Sequence, residues 1–341
     1  MRAAIFSEHG GPEVVRVEEV PTPQPGAGEV RVRVRAASLN HLDLWVRRGL
    51  PIETTMPHIG GSDVAGVVDA AGPGVDGAVI GTRVVADPSL DYDWYDQEGR
   101  GAAFADPPMR LLGEHTDGGF AEYAVVPARN LLQLPDHVRF DHAAAAGLVF
   151  VTAWRGLMTR GGLRAGERVL VTGASGGVGS AAVQIARLAG ARVFAVTSGP
   201  ENVERVRELG ADVVYDRRAV DYARELWRDT AKRGVHLVFD SVGQALWEQN
   251  VRSLAVRGRL VTYGATSGAD GSTEIRRVFW RQLSILGSTM GSPAEYREVM
   301  RLVFEGRLSP VIHEVMPLSE ARRAHELLEA GAVFGKIVLS P

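Results

Sequence analysis

The chain of 341 residues has no cysteine and only two lysines, Lys232 and Lys336. It has no apolar run long enough to span a bilayer. Without thiols, disulfides, thiolate metal sites and cysteine nucleophiles are excluded. Without a span, and with no basic-plus-apolar segment before the first strand, a cytoplasmic protein is expected. The charge is nearly balanced, at 38 basic against 41 acidic side chains and a net −3. That gives no reason to expect nucleic acid or an anionic membrane as partner. The scarcity of lysine beside abundant arginine reads as composition bias rather than as a site.

What is present has a clear division. The first third alternates with period two, as in Glu29-Val30-Arg31-Val32-Arg33-Val34-Arg35, the mark of a half-buried strand. Ala3–Phe6, Val64–Val68, Arg83–Ala86 and Ala121–Val126 are further strand candidates. Gly10-Gly11-Pro12, Pro21–Pro25 and Gly72-Pro73-Gly74 punctuate them as turns. This predicts an irregular, barrel-like β-domain. From about Ala143 the pattern becomes α/β, with apolar strands at Val169–Val171, Val193–Val196, Val213–Tyr215, Leu237–Phe239, Leu260–Tyr263 and Ile285–Leu286. Helical segments fall between most of them, which predicts a six-stranded, doubly wound parallel sheet. Helices are expected at Pro293–Glu305 and Ser319–Ala330, and a last strand at Lys336–Leu339 that returns to the β-domain. The stretch Asp87–Pro108 follows neither period and reads as a long loop or a lobe of its own.

The most informative segment is Arg168-Val-Leu-Val-Thr-Gly-Ala-Ser-Gly-Gly-Val-Gly179. An apolar strand breaks into glycines and a small-residue helix follows. Glycines let the backbone approach a pyrophosphate without a Cβ in the way, and the helix N-terminus offers free N–H groups. Gly173, Ser175, Gly176, Gly177 and Val178 are therefore candidate contacts to a dinucleotide. In an NAD-specific site an acid stands about 20 residues beyond the turn. Here Thr197 and Ser198 hold that place, which favours NADP(H) over NAD(H). Arg205 is a candidate source of positive charge and Tyr215 a candidate contact on the adenosine side. Glu201 is the rival feature, since turned inward it would restore a preference for NAD.

Over essentially its whole length the chain resembles the medium-chain dehydrogenase/reductase superfamily. The resemblance rests on Gly118-Gly119-Phe120-Ala121-Glu122-Tyr123, Thr152-Ala153-Trp154, Val169–Gly179 and Phe334-Gly335-Lys336-Ile337-Val338. It implies a GroES-like catalytic domain at 1–125 with 306–341, a Rossmann domain at 126–305, and a nicotinamide cleft between them. It also implies cofactor contacts from Asn40, Thr152, Val242, Gly264 and Lys336. The chain is similar both to zinc-type alcohol dehydrogenases and to zinc-free quinone oxidoreductases. Where zinc-type members place a cysteine, this chain has Asn40. Where they place a histidine in Gly-His-Glu, it has Ser62 in Gly61-Ser62-Asp63. A third, cysteine ligand is absent. The Asp87–Pro108 stretch stands where those members carry a structural zinc lobe, without its thiolates. No zinc is expected. A set made of His41, Asp43, His58 and Asp63 would be hard and oxygen-rich, and poorly matched to zinc. His58 reads instead as a turn residue, Asp63 as a structural acid, and His115 as the start of a strand.

The catalytic candidates are Asn40 as a hydrogen-bond donor, Asp43 at the same segment, and His41 as a general acid. The hydroxyl of the zinc-type proton relay is replaced by Leu42, and the tyrosine of zinc-free relatives by Trp45. With no Lewis acid, alcohol oxidation is disfavoured. The expected activity is NAD(P)H-dependent reduction of a quinone or an α,β-unsaturated carbonyl. The alternatives are an alcohol dehydrogenase with an unusual metal site, and an NADP(H)-binding sensor with little catalysis. The edge strand at Gln282–Ser288 predicts a homodimer, or a tetramer built from it.

Overall fold

A computed structural model of the chain describes residues 1–50, 54–90 and 109–341. Most of the expected 87–108 lobe lies outside the described residues. The chain divides into two compact units, Met1–Leu148 with Gly291–Pro341, and Val149–Met290. These limits differ from the 125/126 and 305/306 boundaries drawn from the sequence. The physical reason lies in two bonds of the first unit: Leu148 N–H donates to Asp63 at 2.7 Å, and the buried Tyr296 hydroxyl donates to the Ala86 carbonyl at 2.9 Å.

The first unit is built on a seven-stranded sheet. Its spine runs β15 (Ile312–Pro317), β16 (Lys336–Ser340), β3 (Glu29–Ser38), β5 (Asp63–Ala71), β6 (Arg83–Ala86) and β8 (Leu131–Gln133), with β7 (Tyr123–Pro127) also pairing β3. A three-stranded sheet orders β2 (Arg16–Glu19), β1 (Arg2–Phe6) and β4 (His58–Ile59). The period-two reading of β3 holds: Val30, Val32 and Val34 are buried, while Arg31 turns outward and binds Asp69 through Nε at 2.9 Å. Two registers matter for function. Ser38 pairs with Asp63 across β3 and β5, and Val338 pairs with Ser38 across β16 and β3. Three distant stretches of chain therefore meet at one end of β3. The last strand returns to this unit, as expected.

Two local readings are corrected. His58 is not a turn residue; it pairs with Phe6 in β4, and its buried ring bonds the Gly113 carbonyl at 3.1 Å. His115 does not start a strand. It lies in the turn between the paired Leu112 and Thr116, because Gly113 at φ +75° reverses the chain there.

The second unit is a six-stranded parallel sheet in the order β11 (Val213–Asp216), β10 (Arg192–Thr197), β9 (Arg168–Val171), β12 (Val235–Asp240), β13 (Leu254–Thr262) and β14 (Ser284–Gly287). Val169, Leu170 and Val171 are fully buried, as a strand covered on both faces requires. The strand order reverses between β9 and β12, and such a switch point is where this architecture binds ligands. No helix among the described residues is long and apolar enough to cross a membrane.

Candidate functional site

In the second unit β9 ends at Val171, and α3 (Gly177–Leu188) starts behind an N-cap at Gly176; α1 (His41–Arg48) and α2 (Phe140–Trp154) precede it in the chain. Gly173 sits at φ +58°, a conformation glycine adopts without strain. At Gly179 a Cβ would meet the Gly173 carbonyl at 2.2 Å and Ala174 Cα at 2.8 Å. The helix can close on the turn only if that residue is glycine. Gly173, Ser175, Gly176, Gly177 and Val178 remain half-exposed, so the turn is open, although the Gly176 N–H closes it onto the Gly173 carbonyl at 3.0 Å. This backbone fits a dinucleotide pyrophosphate.

Asp240, at the end of β12, pins the other side of the turn. Its fully buried carboxylate accepts the Thr172 hydroxyl, the Val242 N–H at 3.2 Å and the Gly243 N–H at 2.9 Å. Val242 thereby stands beside Gly173: its Cγ2 is 3.6 Å from where a Gly173 Cβ would lie. Gly264 follows β13 and backs onto Ser241. Thr152 is buried and reaches Met290 Sδ at 3.9 Å. Asp240 was missed from the sequence. An aspartate closing an apolar strand just before a glycine was the available signal.

Ser198 is half-exposed at the end of β10. Its hydroxyl accepts Nε of Arg217 at 2.8 Å, and the Arg217 N–H donates to the Thr197 carbonyl at 3.0 Å. The arginine beside Ser198 is thus Arg217, which the sequence reading did not single out. Arg205 is half-buried on α4 (Pro200–Glu208), and Glu201 is exposed. Tyr215 is buried and donates to Asp229 at 2.9 Å, so its hydroxyl is already engaged. Asp216 accepts the Arg218 N–H at 2.9 Å. Backbone N–H groups of Arg218 and Gly199 hold its carboxyl below the usual range.

In the first unit the β3 registers assemble a buried polar cluster. Asn40 caps α1, with its N–H donating to Asp43 at 2.7 Å. Its Nδ2 donates to Asp63 at 2.9 Å. Lys336 Nζ donates to the Leu39 carbonyl and to Asn40 Oδ1, each at 2.5 Å, and to Asp63 at 3.3 Å. Asp43 also accepts the Gly61 N–H at 2.9 Å. Burial pushes the Asp43 carboxyl up to about 7, against the pull of the Asn40 and Gly61 N–H groups and of Lys336. Burial likewise lowers Lys336, while Asp63 and Asp43 pull it back. His41 is exposed to solvent yet crowded. That crowding, then Lys336 and Arg48, lowers its imidazole. Ser62 is fully buried, and its hydroxyl has no partner among the described residues.

The turn 113–116 lies against this cluster. A Cβ on Gly113 would meet Gly61 C at 2.6 Å, so backbone touches backbone. The Glu114 side chain is 12% exposed, and its carboxylate lies 3.6 Å from His115 Nδ1. Burial and then the Asp43 charge push Glu114 up to about 7. Nothing in the sequence marked Glu114, since a lone acid in a turn reads as surface.

The residues at the zinc-type positions do not suit zinc. Asn40 offers an amide already shared between Asp63 and Lys336, Ser62 offers a neutral hydroxyl, and there is no thiolate. Among the described residues, no group of three or more histidine or acidic side chains is placed to hold a metal, so His41, Asp43, His58 and Asp63 do not form a set.

Two family models match the chain: an alcohol dehydrogenase GroES-like domain over residues 26–136 and a zinc-binding dehydrogenase over residues 177–305. The solved structure of an NAD-dependent alcohol dehydrogenase is similar with a TM-score of 0.94 and 43% identity, covering 100% of both chains. A crotonyl-CoA carboxylase/reductase in complex with NADP is similar with a TM-score of 0.88 and 28% identity, covering 100% of this chain and 94% of that one. Human quinone oxidoreductase is 29% identical over 350 residues, 99% of this chain and 97% of the relative. The open glycine turn, the six-stranded order and these matches place the chain in the medium-chain dehydrogenase/reductase superfamily, as an NAD(P)H-dependent oxidoreductase.

Proposed function

We propose that this protein uses NADPH to reduce a quinone or an α,β-unsaturated carbonyl, and does so without zinc. The observation that carries the reading is the contrast between an intact glycine turn and zinc-ligand positions occupied by Asn40 and Ser62. The bound nicotinamide supplies the hydride. The chain's own residues do the rest. Gly173 to Val178 receive the pyrophosphate, and Val242 and Gly264 flank it. Ser198 and Arg217 receive the 2′-phosphate, where a carboxylate would repel it. Thr152 and Lys336 are further cofactor contacts in this reading. Asn40, Asp43, Asp63 and Lys336 form a dry, mutually hydrogen-bonded frame where zinc-type members hold the metal, so the acceptor is reduced without a Lewis acid in this reading.

The alcohol dehydrogenase structure named above favours a second reading, alcohol oxidation with NAD and an unusual metal site. Measuring NADPH and NADH oxidation with a quinone and an enone, together with metal analysis of the purified protein, separates the two. Turnover of either acceptor without stoichiometric zinc is expected. Zinc-dependent alcohol oxidation with neither acceptor turned over would overturn the proposal. Dinucleotide binding without turnover across a broad acceptor panel would favour a sensor.

The reading includes a homodimer. Strand β14 ends the sheet, and Ile285 on it is 43% exposed, as are Phe279 at 57% and Trp280 at 76% on the helix before it. An unpaired strand beside exposed aromatics suits a two-fold copy of itself. A monomeric mass in sedimentation counts against it.

A further inference from the structure

We propose that the first unit carries a separate ligand site, a cavity that takes a monoanionic carboxylate with an apolar body, such as a medium-chain fatty acid or an aromatic acid. The site is independent of the reductase reading. The cavity holds about 390 Å³, within the range of small-molecule sites. Every residue lining it belongs to the first unit. It shares no residue with the polar cluster of Asn40, Asp43, Asp63 and Lys336.

The cavity is built on the face of β3 that the core does not use. Val30, Val32 and Val34 turn inward, so Arg35 faces the other way and lines the cavity. Strands β16 and β15, next to β3 in the sheet, contribute Val338 and Val315. Strand β6 contributes Arg83, and the segment leading into α2 adds Val138 and Phe140. Val315 is 47% exposed, an apolar side chain left open on the wall.

The charges select the ligand. Arg139 also lines the cavity, but it is spent on Asp141, which it grips through Nε at 2.9 Å and through Nη2. Arg83 is held in place without being spent. Its guanidinium lies 4.2 Å from the centre of the Phe140 ring, and its Nη2 donates to the Val138 carbonyl at 2.5 Å. Its Nε is buried and has no hydrogen-bond partner among the described residues. The carboxylate of the fully exposed Asp136 stands 3.8 Å from it, beyond hydrogen-bond reach. Native proteins rarely leave a buried N–H unmet. Arg35 has no hydrogen bond or ion pair among the described residues. Two arginines with open donors thus share one cavity with apolar walls. Three arginines against Asp136 and Asp141 leave a charge of +1, which a single carboxylate neutralises. A dianionic phosphate would leave surplus negative charge beside the two aspartates. An uncharged molecule would leave the arginines without a counter-charge. Guanidinium and carboxylate pair through strong, charge-assisted bonds, and the apolar body covers Val315 and Val338.

The test uses the full chain with octanoate as probe, followed by isothermal titration calorimetry, with octanol and inorganic phosphate as controls. Saturable binding of one octanoate per chain is expected, with neither control binding at the same concentration. Arg35→Met should weaken octanoate about fivefold, and Arg83→Met about tenfold or more. Val315→Glu places a carboxylate on the wall and should abolish binding. Arg35 and Val315 are exposed, so Tm should stay level in both variants, and these two decide the matter if Arg83→Met fails to fold. Octanoate binding unchanged in Arg35→Met and Val315→Glu would overturn the proposal. So would the absence of saturable binding, or octanol or phosphate binding as tightly as octanoate.

Discussion

The glycine turn of one unit and the polar cluster of the other are built on opposite principles. The turn is a site of backbone. Its requirements are local, and each is a missing Cβ, as at Gly173 and Gly179. The cluster is a site of side chains drawn from Asn40, Asp43, Asp63 and Lys336, joined by strand registers across almost the whole chain. A backbone site is open and tolerates changes in its surroundings. A side-chain site closed to water depends on every partner, because each loss leaves a buried charge or donor unmet.

Lys336→Met probes that dependence hardest. It leaves Asp63 as an uncompensated buried carboxylate and should cost about 3–5 kcal/mol in denaturant unfolding. Adding Asp63→Asn should recover part of the loss. If Lys336→Met alone is neutral, the cluster is less interdependent than its geometry indicates. The pH dependence of stability comes next. The folded Asp43 carboxyl titrates near 7 against an ordinary 3.8. Between those values the folded state keeps a proton that the unfolded chain has lost. Asp43 alone should therefore make stability fall as pH rises from about 4 to 7, by up to about 1.4 kcal/mol per pH unit, with Glu114, also raised to about 7, adding to the fall, and the curve should level off above. The slope should be shallower in Asp43→Asn, as read by unfolding at a series of pH values.

Changes to the turn should be smaller in stability and larger in binding. Gly179→Val overpacks the helix against Gly173, at about 1–3 kcal/mol, with a matching loss of dinucleotide affinity in a fluorescence titration. Arg217→Ala should raise the dissociation constant for NADPH about tenfold and leave that for NADH unchanged, the loss of one charge-assisted contact. Equal effects on both cofactors would remove Arg217 from the 2′-phosphate.

The same contrast explains what was legible in the sequence. All six parallel strands and the turn could be read directly, because apolar runs and glycines act within a few residues of themselves. Asn40 and Asp43 were visible as a segment, but the bonds of Asn40 to Asp63 and Lys336 depend on which strands lie beside β3. His58 and His115 were misplaced because strand pairing and a single left-handed glycine, not local propensity, set their backbone. Arg217 was missed because it meets Ser198 only when β11 lies against β10, with Thr197 opposite Asp216. Glu114 left no local mark at all.

The glycine-on-glycine contact between Gly113 and Gly61 has a practical consequence. A Cβ at 113 would meet the main chain of Gly61, and one at 61 would meet the Phe120 ring at 2.7 Å. Two absent methyl groups thus set how closely the turn at 113–116 can approach the polar cluster, and either one restored would lift that whole turn away.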